Sequence, residues 1–195
     1  MKHHTTFIST TSKDLLDLFS KIDSILHASH KKLHITTLGG ASIILQGFRE
    51  RATRDIDIAN NKDATSFQDI CNQLGVPVDI ITIASTVDFD QASKVPIFNG
   101  QSLLIDSVTA SDLIKLKLER FRKQDPEDIY AIIEKIKLPY QRFKLLVKDM
   151  IPDFVGNPRE LQLSATIVVE RIYPNQREDF LTSIVPLTTS TTHAP

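Results

Sequence analysis

Tryptophan is absent from the 195 residues, and cysteine occurs only once. The lone cysteine, Cys71, excludes an internal disulfide and with it a fold stapled for an oxidising compartment. On a helical stretch it reads as a small core residue rather than a reactive thiol. Charge of one sign is missing too. Lys and Arg number 23 against 24 Asp and Glu, so bulk electrostatics single out neither nucleic acid nor an acidic membrane as partner. No apolar run approaches the roughly 18 residues that cross a bilayer. The opening Met-Lys-His-His-Thr-Thr lacks the apolar core of a secretion signal, so a cytoplasmic protein with no membrane partner is expected. No Gly-x-x-x-x-Gly-Lys-Ser/Thr, no His-Glu-x-x-His and no cysteine pair occurs, which removes P-loop, zincin and zinc-ribbon readings. His27, His30 and His34 are loosely spaced, and His34 falls on the following strand, so they do not read as a metal site.

What is present is the mixture of an ordinary globular chain, 41% hydrophobic and 24% charged, long enough to bury a sizeable core. Ser12 is a candidate cap for a helix carrying Leu15, Leu18, Phe19, Ile22, Ile25 and Leu26 at spacings of three and four. Residues Lys32 to Leu38 read as a short strand running into Gly39-Gly40, Ala41 to Gln46 as a helix stopped by Gly47, and Arg54 to Asn60 as an alternating strand. Asp63 to Leu74 reads as helical. Val76 to Ser85 is β-branched and the strongest strand signal, and Gln101 to Val108 is a further strand behind the Asn99-Gly100 turn. From Thr109, with Asp112 as a capping box, the pattern turns purely helical: Leu113 to Leu118, Ile129 to Ile136, Tyr140 to Met150 and Pro158 to Ile172. The layout is α+β: a mixed sheet with flanking helices over residues 1–108, a helical region over 109–186 packed on it as part of one domain, and a flexible tail at 187–195.

The stretch Leu38 to Asn60, LGGASIILQGFRERATRDIDIAN, concentrates the chemistry. A glycine pair between strand and helix leaves backbone N–H groups open to a phosphate. Asp55 and Asp57, two apart on a strand, point the same way. Like charges side by side need a compensating cation, and a divalent ion supplies it. Asp79, a charge inside the apolar run Val76 to Ile83, is costly unless paired or metal-bound, which makes it the candidate third carboxylate. Each part alone has a bland reading as a solvated strand face or an ordinary turn; their order and spacing raise the case. The basic group Lys115, Lys117, Arg120, Arg122 and Lys123 reads either as a solvated helix face or as attraction for a phosphate-rich substrate.

These motifs resemble the nucleotidyltransferase-like fold, in particular the branch of abortive-infection type IV toxins and their bacterial relatives. Arg51, Thr53, Asp55, Ile56 and Asp57 fall on that branch's Arg-x-Thr-x-Asp-hydrophobic-Asp. Lys117, Arg120, Asp125 and Asp128, within KLERFRKQDPEDI, are similar to its helical segment. The same Asp-Pro-Glu-Asp also suits a helix start with Asp125 as cap. The resemblance implies a nucleotidyltransferase-like mixed sheet with a helical C-terminal half. It implies Gly39 and Gly40, with Arg54, holding a nucleoside triphosphate, and Asp55, Asp57 and Asp79 binding Mg²⁺ or Mn²⁺. Lys117 would approach the phosphates, Arg120 and Asp128 would orient the helix, and Asp125 would be a ligand or the acceptor's base. Lys115 is the alternative to Lys117, since the two lie about 200° apart on an ideal helix. The implied chemistry is transfer of a nucleoside monophosphate to a hydroxyl of RNA, transfer RNA among them, or of protein, with an antitoxin protein as partner. The family often has serine where this chain has Gly40, and Ser42 is two residues too late to replace it on spacing alone. A non-catalytic relative binding nucleotide or a partner in the same cleft is the alternative. A purely structural helical protein would leave Asp79 unexplained.

Overall fold

The structure, a computed structural model, describes residues 11–190. Both ends of the expectations, the Met1–Thr6 leader reading and residues 191–195 of the tail, lie outside the described residues. The chain divides into two compact units, one formed by residues up to Ile83 with Phe89–Thr109, the other by Ala84–Asp88 with the chain from Ala110 onward.

The first unit opens with α1 (Ser12–Ala28), whose cap is Thr11 rather than Ser12: Thr11 accepts from Asp14 N and Asp14 answers on Thr11 N, a reciprocal capping box. Then come β1 (Leu33–Thr37), α2 (Gly39–Leu45), β2 (Ile56–Ala59), α3 (Ala64–Gln73), β3 (Val78–Ile81), β4 (Lys94–Asn99) and β5 (Leu103–Val108). The strands form one sheet in the order β3-β2-β1-β5-β4, parallel between β1 and β5 and between β2 and β3, antiparallel elsewhere. Period-two alternation gives the sheet two faces of different character. Leu33, Ile35, Ile56, Ile58, Val78, Leu103 and Ile105 point to one face and bury against Leu15, Phe19, Ile22 and Leu26 of α1, Ala41 and Ile44 of α2, and Phe67 and Cys71 of α3. The opposite face carries His34, Thr36, Asp57, Asp79 and Asp106, as the registers Thr37↔Ile58, Thr36↔Asp106 and Asp57↔Asp79 require. Cys71 is a core residue, fully buried, with its thiol pushed up to about 12 by that burial.

Two strand expectations change. The Val76 to Ser85 run yields only four residues of strand, because β3 is the edge of the sheet and Pro77 precedes it. Asp79 is therefore exposed on an edge strand; it does not interrupt a buried one, and the burial penalty argued from sequence does not apply. β4 was not foreseen: Pro96 and the exposed Lys94 and Asn99 mask a strand that an edge position tolerates.

The second unit is helical: α4 (Ala110–Arg120), α5 (Asp125–Ile136), α6 (Tyr140–Met150), α7 (Pro158–Ile172) and α8 (Arg177–Ser190). Asp125 is the first residue of α5, with Gln124 at the cap and Pro126 in the first turn. α8 carries helix through Ser190, over residues 187–190 of the stretch expected as a flexible tail. It is held by Phe180 and Ile184, both fully buried, and by Asp179, which accepts from Tyr140 and Lys144 of α6. Among the described residues no helix is long and apolar enough to cross a membrane.

Candidate functional site

Asp57 sits second in β2 and pairs in register with Asp79 on β3, so both side chains leave the sheet on the face away from the core. Asp55 lies one residue before β2 begins, outside the strand that the sequence assigned it to, yet still beside its neighbours. One carboxylate oxygen from each of Asp55, Asp57 and Asp79 lies within 4.8 Å of the other two; Asp55 and Asp57 are half-buried and Asp79 is exposed. Three anionic oxygens at that separation repel one another unless a cation sits among them. An all-carboxylate donor set is hard and favours Mg²⁺, Mn²⁺ or Ca²⁺ over softer ions.

The glycine pair abuts this group. Gly39 opens α2 with φ at +53°, and a Cβ there would fall 1.7 Å from Asp57 Oδ2. Only glycine lets the backbone approach the carboxylate so closely while holding a left-handed φ. Gly40 is constrained from another side: a Cβ would fall 2.5 Å from Thr53 Oγ1 and 2.8 Å from Arg51 Nη2. Thr53 in turn donates to the Asp55 carbonyl at 3.1 Å, so the Arg51-x-Thr53-x-Asp55 spacing braces the glycine turn and the first acid together. Ser42 does not stand in for a hydroxyl at position 40. It is fully buried and donates to Thr37 Oγ1 at 2.9 Å, on the core side. Arg54 is exposed in the bend leading into β2.

Lys117, Arg120, Asp125 and Asp128 form a separate cluster within the helical unit. Lys117 Nζ donates to Asp125 Oδ1 at 3.0 Å and to Asp128 Oδ2 at 2.6 Å, and all three side chains are almost wholly buried. Arg120 grips both oxygens of Asp125 with Nε and Nη2, and the Arg122 N–H donates to Asp125 Oδ2 at 2.7 Å. Burial pushes the Asp125 carboxyl up, but Lys117, Arg120 and the Arg122 N–H outweigh it and hold the group below the ordinary carboxylate range. A carboxylate held that way is a weak base. Lys117, expected to approach the phosphates, is engaged here by two buried carboxylates and ties α4 to α5. Lys115, the alternative, is partly exposed and pairs with Asp112 at 3.8 Å.

Sequence reasoning missed His34 with Asp106, whose side chains meet at 2.7 Å across β1 and β5. Pairing across parallel strands is set by register, and the only hint was that His34 falls on a strand. It also placed Thr53 on a motif without seeing that its hydroxyl packs against Gly40.

A mixed sheet that presents three converging carboxylates beside a glycine turn defines a nucleotidyltransferase-like protein. The family model described as "Nucleotidyltransferase of unknown function (DUF6036)" matches residues 13–151, and the chain belongs to that family. The match takes in the whole sheet and both motif regions. No curated protein matches the sequence.

Proposed function

We propose that this protein transfers a nucleoside monophosphate from a nucleoside triphosphate to a hydroxyl of RNA or protein, in a reaction dependent on Mg²⁺ or Mn²⁺. The observation that carries the reading is the convergence of Asp55, Asp57 and Asp79 within 4.8 Å. These three would hold the ion. Bound there, it would neutralise charge on the α-phosphate and on the departing pyrophosphate. The acceptor oxygen forms a bond to the α-phosphorus while the bond to the bridging oxygen breaks, and pyrophosphate leaves. Asp79, exposed at the sheet edge, is the acid with open access to solvent and takes the acceptor side, where its carboxylate would accept the hydroxyl proton and pass it to solvent. Gly39 and Gly40 offer backbone N–H groups to the triphosphate, and Arg54 adds positive charge. The resemblance to abortive-infection type IV toxins extends the reading to a toxin countered by an antitoxin: expression should slow growth of a bacterial host, and the cognate antitoxin should relieve it.

The test is incubation with each labelled nucleoside triphosphate, Mg²⁺ or Mn²⁺, and bulk transfer RNA or cell extract. Label transfer that disappears in Asp55→Ala/Asp57→Ala supports the enzyme. Transfer that survives in that variant overturns the assignment of the acids. Failure with all four nucleotides, alongside metal-dependent nucleotide binding, identifies a binding relative instead.

A further inference from the structure

The sheet face that carries Asp57 and Asp79 has a second feature at its other end. His34 of β1, Leu104 of β5 and Asn99 of β4 stand side by side, through the registers His34↔Leu104 and Asn99↔Leu104. All three are exposed; the His34 side chain is 51% accessible and Leu104 40%. The imidazole is not loose. Its Nε2 meets Asp106 Oδ2 at 2.7 Å, and the His34 backbone is clamped by Asp63, which accepts from its N–H, and by Asn61, which donates to its carbonyl. Asp106 is thus engaged with the ring and Asp63 with the backbone. Just ahead of β1, Lys31 and Lys32 are exposed. A fixed flat ring beside an aliphatic side chain and an amide, with cations at the approach, is a surface on which unpaired bases stack while their phosphates meet positive charge. His34 lies four residues before Leu38, whose N–H donates to the Asp57 carbonyl. That is about 13 Å along β1, the length of about four stacked nucleotides. Thr36, between them on the same face, is small and buried.

We infer that His34, Leu104 and Asn99 form a stacking platform for single-stranded RNA, which makes RNA rather than protein the acceptor class. The acceptor role rests on the nucleotidyl-transfer reading; the binding surface rests on its own geometry. His34 stacks on a base, Asp106 fixes the ring, Leu104 packs beneath, and Asn99 offers its amide to a base edge.

The test measures binding of fluorescein-labelled single-stranded RNA to the full chain by polarisation, with duplex RNA of the same sequence and an unstructured peptide as comparisons. Single-stranded RNA should bind best. His34→Ala should weaken it about tenfold and His34→Phe should keep it within about threefold of wild type, because one stacked base contributes roughly that much. Lys31→Glu/Lys32→Glu should weaken binding and flatten its salt dependence. Equal binding by His34→Ala, failure of His34→Phe to rescue, or preference for duplex or peptide overturns the platform. Loss of transfer in Asp55→Ala/Asp57→Ala reports on the nucleotidyl-transfer reading and loss of RNA binding in His34→Ala reports on the platform, so the two readings fail separately.

Discussion

Gly39 lies so close to Asp57 that any side chain at position 39 would start 1.7 Å from the carboxylate oxygen. Gly39→Ala should therefore cost about 1–2 kcal/mol from the left-handed φ alone, with more from the displaced acid. Thermal melts should show a lower midpoint. Added Mg²⁺, which should stabilise the wild-type chain by binding only the folded state, should leave the variant almost unmoved. A Gly39→Ala protein that gains as much from Mg²⁺ as wild type would show that Asp57 does not need its present position.

Gly40 answers to Thr53. Gly40→Ser should destabilise this chain, because the new Cβ would meet Thr53 Oγ1 at 2.5 Å. In a Thr53→Ala background the same Gly40→Ser change should cost less. A double-mutant cycle by urea unfolding should return a coupling of about 0.5–3 kcal/mol, the range for residues in contact. Additive costs would mean that Thr53 is not what excludes the serine.

Lys117→Met leaves Asp125 and Asp128 buried without their lysine. Breaking such a pair from one side costs about 3–5 kcal/mol, and replacing all three residues with apolar ones of similar volume should recover most of it. Denaturant unfolding measures both. If Lys117→Met is as stable as wild type but transfers no label, the lysine serves the reaction and not the helix pair.

Asp23 of α1 makes the fold acid-sensitive at a defined place. It accepts from Ser102 N and Leu103 N at 2.7 Å and from Gln101 N at 3.2 Å, which fastens the β4–β5 turn to the helix. Burial raises its pKa, but the three N–H bonds outweigh that and leave it lowered. A carboxyl depressed in the folded state adds stability that is complete above the unfolded value near pH 4 and is lost as pH falls through the folded one. Asp23→Asn should be less stable than wild type at neutral pH, and the gap should close in acid. Unfolding midpoints taken from neutral pH to below pH 3 decide it; a gap that does not vary with pH removes the carboxylate from the account.

The legible parts of this chain were those governed by local chemistry. α6 and α7 fall on the residues that their apolar spacing indicates, bounded by Pro139 and by Asn157-Pro158. Glycine and aspartate at 39, 40, 55 and 57 stood out because few backbone arrangements need such residues in that order. Long-range facts were harder. β4 was hidden because an edge strand needs neither strict alternation nor freedom from proline, and α8 because, among its described residues, just Phe180 and Ile184 are fully buried. The pairing of Lys117 was hidden for the same reason: a lysine on a helix looks identical in sequence whether it faces solvent or two aspartates from the next helix.

By itself, then, the sequence determined the α+β class, the glycine turn and the acids as a group, since composition, period and spacing are local properties that folding preserves. Tertiary structure decided which acids meet. Asp79 joins Asp55 and Asp57 because β3 pairs in parallel register with β2, while Asp125 and Asp128 close on Lys117 as α4 packs against α5. Register and helix packing arise from burying apolar faces between segments far apart in the chain, and no local pattern of charges specifies them.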